Sequence, residues 1–313
     1  MSTPPALTAA QKRRFTGLKK QLIEACQELD TKGGKVIARD LKNLLLPTGH
    51  QKKYYEMLLH LCDALIVKEE CDTAESFLDA IITNSNSNTR LYQEANVLMA
   101  ICKIHLLKLG EAEFCIKNAF GSKAIKSNDT RKRFLEIVTQ RLEEEALLTS
   151  FRSSDAGLSS GQVLKKVEEY CTSNVSEDGL FEDAGKSVPN SAIDFMSNIN
   201  EMAKRQLAYS EQLMLPPPPG NKEFIKIGKR VFGVISRKVW PFICSKNCKV
   251  QQTIKVLEAP ECIISCMVAE LSSQGIGTTI VAVVSTLVIR QSLKAYCTKW
   301  SPKGLMGYRY KRL

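Results

Sequence analysis

The residues of this 313-residue chain best suited to chemistry are thiols, imidazoles and cations, and their spacing decides what they can do. Cys244-x3-Cys248 and Cys262-x3-Cys266 form two equally spaced pairs, which suggests four thiolates around one zinc ion. That spacing is wider than the CxxC of a zinc knuckle. The second pair lies in the apolar run ECIISCMVAEL, where thiols four residues apart pack together on a helix without a metal. No metal and no cofactor is therefore expected. A cysteine beside a membrane-facing basic helix is equally an acceptor for palmitate by context. With no secretory signal at the N-terminus, most of the eleven cysteines read as reduced, buried apolar groups. His50, His60 and His105 are far apart, and His60 and His105 fall in apolar helical patterns that suit hydrogen-bonded core histidines better than a base or a ligand. The acid run Glu143, Glu144, Glu145 reads as a solvated helix face. There is no GxxxxGK[ST], HExxH or GxSxG and no glycine-rich dinucleotide turn, so no enzyme is expected.

Charge gives the stronger signal. The formal net charge is +11, and residues 222–313 hold 16 Lys+Arg against 4 Asp+Glu, while residues 151–221 hold 6 against 10. Phe224, Ile227, Val231, Ile235 and Val239 recur at helical spacing between the cations, which predicts a basic amphipathic helix. Lys226, Lys229, Arg230, Arg237, Lys238, Trp240, Arg290 and Lys294 are the candidate contacts to an anionic membrane surface or to phosphates. The bland alternative is a small helical domain whose lysines solvate its outer face.

The elements that must position these groups are helical throughout, which predicts an all-α fold. A first helix fits Thr8 to about Asp30, with Thr8 as N-cap and Gly33-Gly34 ending it, and a second fits Lys35 to Leu46. Residues 54–120 then give two helix-turn-helix patterns. Ala74, Leu78 and Ile81 in one recur as Ala112, Ile116 and Ala119 in the other, 38 residues on. In the first pattern Leu58, Leu61, Cys62 and Leu65 fill the earlier helix. This spacing resembles the tetratricopeptide repeat family, whose usual period is about 34 residues. The resemblance implies a stack of helix pairs with a protein-binding concave face, on which Leu58, Leu65, Tyr92 and Lys103 are the candidate partner contacts. An ordinary helical bundle is the competing architecture. A helix over Asp129–Phe151 closes this domain of residues 1–151.

Residues 152–221 read as an acidic, partly disordered section with a short helix over Val163–Tyr170, another over 191–213, and the spacer LPPPPG. The run carries no cation close on its N-terminal side, which argues against an SH3 ligand. After the basic region of residues 222–270, residues 271–289 are nineteen positions without a charge, about 28 Å as a helix, and form a candidate transmembrane helix. A β-strand or a core element competes for its apolar half, Ile280–Ile289. Residues 290–313 are purely basic. An apolar segment followed by such an end resembles the tail-anchored proteins of the mitochondrial outer membrane and the peroxisome, including docking factors for AAA export ATPases and fission adaptors. The resemblance implies a non-enzymatic adaptor that docks a protein partner on the cytosolic face of an organelle membrane. The alternative is a soluble helical protein that binds nucleic acid or an acidic partner through its basic last third.

Overall fold

The computed structural model describes residues 4–151, 158–220, 222–244, 260–291 and 293–299, and every regular element among them is a helix. The described residues form two compact units, one within residues 1–131 and the other within residues 132–302.

The first unit contains α1 (Ala9–Gln27), α2 (Thr31–Leu45), α3 (Gln51–Val67), α4 (Cys71–Thr83), α5 (Arg90–His105) and α6 (Leu109–Gly121). Each helix packs on the next, and α3 packs on both α1 and α5. Thr8 starts α1 through a capping box, accepting from Gln11 N at 3.2 Å while Gln11 Oε1 accepts from Thr8 N at 2.9 Å. Three hairpins result, α1–α2, α3–α4 and α5–α6, and all three turn in the same way. Leu29, Glu69 and Leu107 sit in the left-handed region at φ 53°, 65° and 56°. The next amide reaches back five residues in each: Asp30 N to Ala25 O (2.9 Å), Glu70 N to Leu65 O (2.9 Å) and Lys108 N to Lys103 O (2.8 Å). These are Schellman closures, which satisfy carbonyls a helix end would otherwise leave bare.

Counting from the turn residue exposes a common pattern. Five residues on stand Gly34, Ala74 and Ala112, nine on Ala38, Leu78 and Ile116, and twelve on Leu41, Ile81 and Ala119, all buried. The small residue comes at the closest approach: a Cβ on Gly34 would lie 2.8 Å from Leu61 Cδ1. The expectation that Gly33-Gly34 ends a helix is corrected here, because both lie inside α2. The Asp30 carboxylate starts α2 earlier, accepting from Gly33 N at 2.9 Å.

The second unit is built from most of α7 (Asn128–Phe151) with α8 (Ser160–Thr172), α9 (Glu177–Lys186), α10 (Asn190–Arg205), the single turn α11 (Tyr209–Gln212), α12 (Phe224–Cys244), α13 (Pro260–Leu271), a 3-10 turn Ser272–Gln274, α14 (Thr278–Arg290) and α15 (Leu293–Lys299). Leu147, Val163, Leu180, Phe181, Phe232, Ile235, Met267 and the apolar residues of α14 share one core. Two sequence expectations change. The acidic NVSEDGLFEDAGK segment is not disordered: Ser176 caps α9 by accepting from Gly179 N at 3.1 Å, and Leu180, Phe181 and Ala184 bury themselves. The helix expected over 191–213 ends at Arg205, and LPPPPG lies inside the second unit rather than between two units.

Two glycines decide how α9 meets α12. Phe181-x3-Gly185 on one helix faces Phe224-x3-Gly228 on the other, each glycine against the other helix's phenylalanine backbone. A Cβ on Gly228 would lie 2.7 Å from the Phe181 carbonyl carbon, and one on Gly185 2.6 Å from that of Phe224. No side chain fits at either point.

The candidate transmembrane stretch, residues 271–289, is not one helix. Leu271 ends α13, Gly275 turns the chain at φ 64°, and Gly277 caps α14, which has 13 residues. At about 1.5 Å per residue that is about 20 Å, short of a hydrocarbon core of about 30 Å. Every residue from Ile280 to Val288 is buried in the protein core, so the uncharged run is used as core. Among the described residues no helix is long and apolar enough to cross a membrane. The basic tail beyond Lys299 lies outside the described residues.

Candidate functional site

In the first unit, the contacts expected to meet a partner are mostly inside. Leu58 and Leu65 belong to the core, because α3 is covered on nearly all sides. Lys103 is also buried, and its ammonium pairs with Glu75 and, at 2.6 Å, with Glu111, tying α5 to α4 and α6. Burial works to lower its pKa, but the hydrogen bonds to Glu111 and Glu75 hold it above the usual lysine range. Tyr92 is half-buried at the start of α5. In the neighbouring hairpin Glu70 does similar work: Thr31 Oγ1 donates to it at 2.5 Å and Lys35 Nζ at 2.6 Å, joining α2 to the turn before α4.

This unit shows to solvent much of α1 and the outer side of its second helices. Val36 and Phe114 are both exposed, at 51% and 64%, and both stand seven residues after their turn residue. Ser76, also exposed, occupies that position in the middle hairpin. The row Val36, Ser76, Phe114 was legible only through the turns, since neither apolar residue stands out in sequence. Leu107, at the third turn, is exposed as well.

In the second unit the cations expected to meet membrane or phosphate are largely spent on the protein's own acids. Glu143, Glu144 and Glu145 are each no more than 3% exposed, which overturns their reading as a solvated face. Arg230 Nε donates to Glu143 Oε2 at 2.9 Å, and Asn200 Nδ2 to Glu143 Oε1 at 2.5 Å. Arg237 bridges Glu144 and Glu145, the latter at 3.3 Å, and Arg141 Nε reaches Glu145 at 2.5 Å. Gln140 Nε2 completes the shell of Glu144 at 2.8 Å. Burial raises the pKa of Glu143, and Arg230 and Asn200 oppose the shift. A buried carboxylate is tolerable only with such partners, and three in succession need donors from several directions. Gly233 leaves the room: a Cβ there would lie 3.0 Å from Glu144 Oε1.

The remaining predicted cations divide. Lys238 is buried, and Trp240 turns inward to donate from Nε1 to Cys297 O at 3.0 Å. Arg290 clamps the end of α8, donating to Tyr170 O at 2.5 Å and to Val175 O. Lys226 and Lys229 pair at the surface with Glu223 and Asp178. Lys294 is exposed. The eight residues therefore do not form one outward basic face.

The cysteines separate in a similar way. Cys244 is bonded to Cys297 instead of joining a four-thiolate set, and Cys248 lies outside the described residues. No cluster of three or more metal-ligating side chains occurs among the described residues. Cys26 is pushed up to about 12, first by burial and then by Asp63, and burial drives Cys62 and Cys115 the same way. Burial of this kind disfavours the thiolate, the reactive form of a cysteine. His50 Nδ1 lies 2.9 Å from Thr48 O, a local contact. No protein-family model matches the chain, and neither a curated protein nor a solved structure shows significant similarity to it.

Proposed function

We propose that the protein is a non-enzymatic scaffold that docks a protein partner on its helical-hairpin unit. The observation that carries this reading is the recurrence of one hairpin three times, with turn residues at positions 29, 69 and 107 and a small residue five positions after each. Stacked hairpins of this kind suit tetratricopeptide-like architecture, in which neighbouring units bury a face no single hairpin can bury alone. Because α3 and α5 are almost wholly covered, the docking surface is assigned to the outer row of α2, α4 and α6. Val36 and Phe114 are its apolar anchors. A spanning route to an organelle membrane through residues 271–289 is not kept, since that stretch fills the core of the second unit. Nor is the basic last third kept as a nucleic-acid surface, because Arg230 and Arg237 neutralise buried acids.

The test is affinity capture with the full chain against a Val36→Asp/Phe114→Asp variant. The partners that reproducibly copurify with the wild type should be lost from the variant while its far-UV circular dichroism and melting curve stay unchanged. An unchanged partner set would refute this surface.

A further inference from the structure

We infer that Pro216–Pro219 is a second docking element, a preformed polyproline ligand for a module whose groove is lined with aromatic side chains. Four successive prolines fix φ near −65° and exclude the helical region for the residues before them, so the run is extended before any partner arrives. It has no regular hydrogen-bonded structure of its own, and the carbonyls of Pro216–Pro218 accept no hydrogen bond among the described residues. Both ends are held. Leu215 is buried and its amide donates to Gln212 O at 3.2 Å, while Pro219 is buried and Gly220 N donates to Glu223 Oε2 at 2.9 Å. Between these anchors Pro216 and Pro217 are exposed. A run left for flexibility alone would need neither anchor.

The sequence before it adds apolar surface. Tyr209 and Leu213, at 76% and 71% exposure, are two of the most exposed large hydrophobic residues in the described chain. A polyproline groove recognises what is on offer here: proline rings between aromatic walls, free carbonyls for its donors, and little ordering entropy to lose. The flanks narrow the partner. No Lys or Arg occurs between residues 206 and 221, so a groove that reads prolines through aromatics, as in WW and EVH1 modules, fits better than an SH3 groove that pairs with a flanking cation. The inference rests on the second unit alone and does not depend on the docking row of the first.

The test titrates the full chain against purified WW, EVH1 and SH3 domains, reading the fluorescence or amide shifts of their groove residues. At least one WW or EVH1 domain should bind, and the Pro216→Ala/Pro217→Ala variant should weaken it at least tenfold. Both prolines are exposed, so the variant should keep the wild-type far-UV circular dichroism, with a midpoint lowered only by the added entropy of its unfolded chain. Lys222→Ala should leave the affinity unchanged. The inference is overturned if no WW or EVH1 domain binds, if binding survives the double substitution, or if only an SH3 domain binds and requires Lys222.

Discussion

Replacing Gly228 by alanine asks whether α9 and α12 touch at backbone distance. An ordinary contact begins at about 3.4 Å, whereas the new Cβ would lie 2.7 Å from the Phe181 carbonyl carbon and 3.0 Å from its Cα, with the oxygen nearer still. Clearing the carbonyl carbon alone parts the helices by about 0.7 Å, and clearing the nearer oxygen requires more. A gap of that size forfeits about a quarter to a half of the dispersion between facing atoms, here those of Leu180, Phe181, Ile227, Val231 and Phe232. Overpacking of this kind costs about 1–3 kcal/mol, and the better helix propensity of alanine returns about 1 kcal/mol. The expected net outcome is a loss of about 0–2 kcal/mol, against the net gain that alanine brings at an open helix position. Gly185→Ala should behave alike, and the double variant should lose less than the sum, because one separation relieves both clashes. Urea unfolding followed by tryptophan fluorescence reads this directly, since Trp240 lies on α12 itself and packs against the core of the second unit. Gly17→Ala in α1, where nothing lies within 4 Å of the added carbon, is the control and should stabilise by about 0.5–1 kcal/mol in circular dichroism. Equal stabilisation at positions 17 and 228 would refute the close crossing.

Removing one charge from the buried network should cost more than removing two. Arg230→Met leaves Glu143 buried without its cation and should destabilise by about 3–5 kcal/mol, whereas Arg230→Met with Glu143→Gln should recover most of that in the same urea assay. Leu107→Gly relieves an exposed left-handed residue and should stabilise the first unit by about 0.5–1 kcal/mol in thermal melts, while the β-branched Leu107→Val should destabilise it. Glu70 is held below the usual carboxylate range, first by Lys35 and then by Thr31. Its contribution is therefore full above its unfolded pKa, about 4.3, and is lost as the pH falls through the lower folded value. Glu70→Gln should narrow the stability gap between pH 7 and pH 3 by no more than about 1 kcal/mol, because the pair is about one-third exposed; an unchanged gap would remove Glu70 from the account.

Much of the helical content was legible. Thr8 announced its own cap, and the Ala74 and Ala112 patterns gave two hairpins at the right spacing. The first hairpin was missed because glycine, at position 34, stands where the others have alanine, and a glycine pair reads locally as a helix end. Its identity came from a left-handed leucine at position 29, which no composition rule favours. The exposed row was illegible for the same reason: Val36 and Phe114 are equivalent only once the turns are aligned.

The sequence by itself determined the cap at Thr8, the two hairpins marked by Ala74 and Ala112, and that four prolines run extended. Each is a local matter of backbone sterics and hydrogen bonds within a few residues. Only the tertiary structure decided the fate of the charges and of the uncharged stretch. Glu143–Glu145 are buried because arginines about 90 residues away on α12 come to meet them, and Ile280–Val288 are core because other helices surround them. Whether a charge is solvated or paired, and whether an apolar helix meets protein or lipid, depends on neighbours that local spacing does not specify.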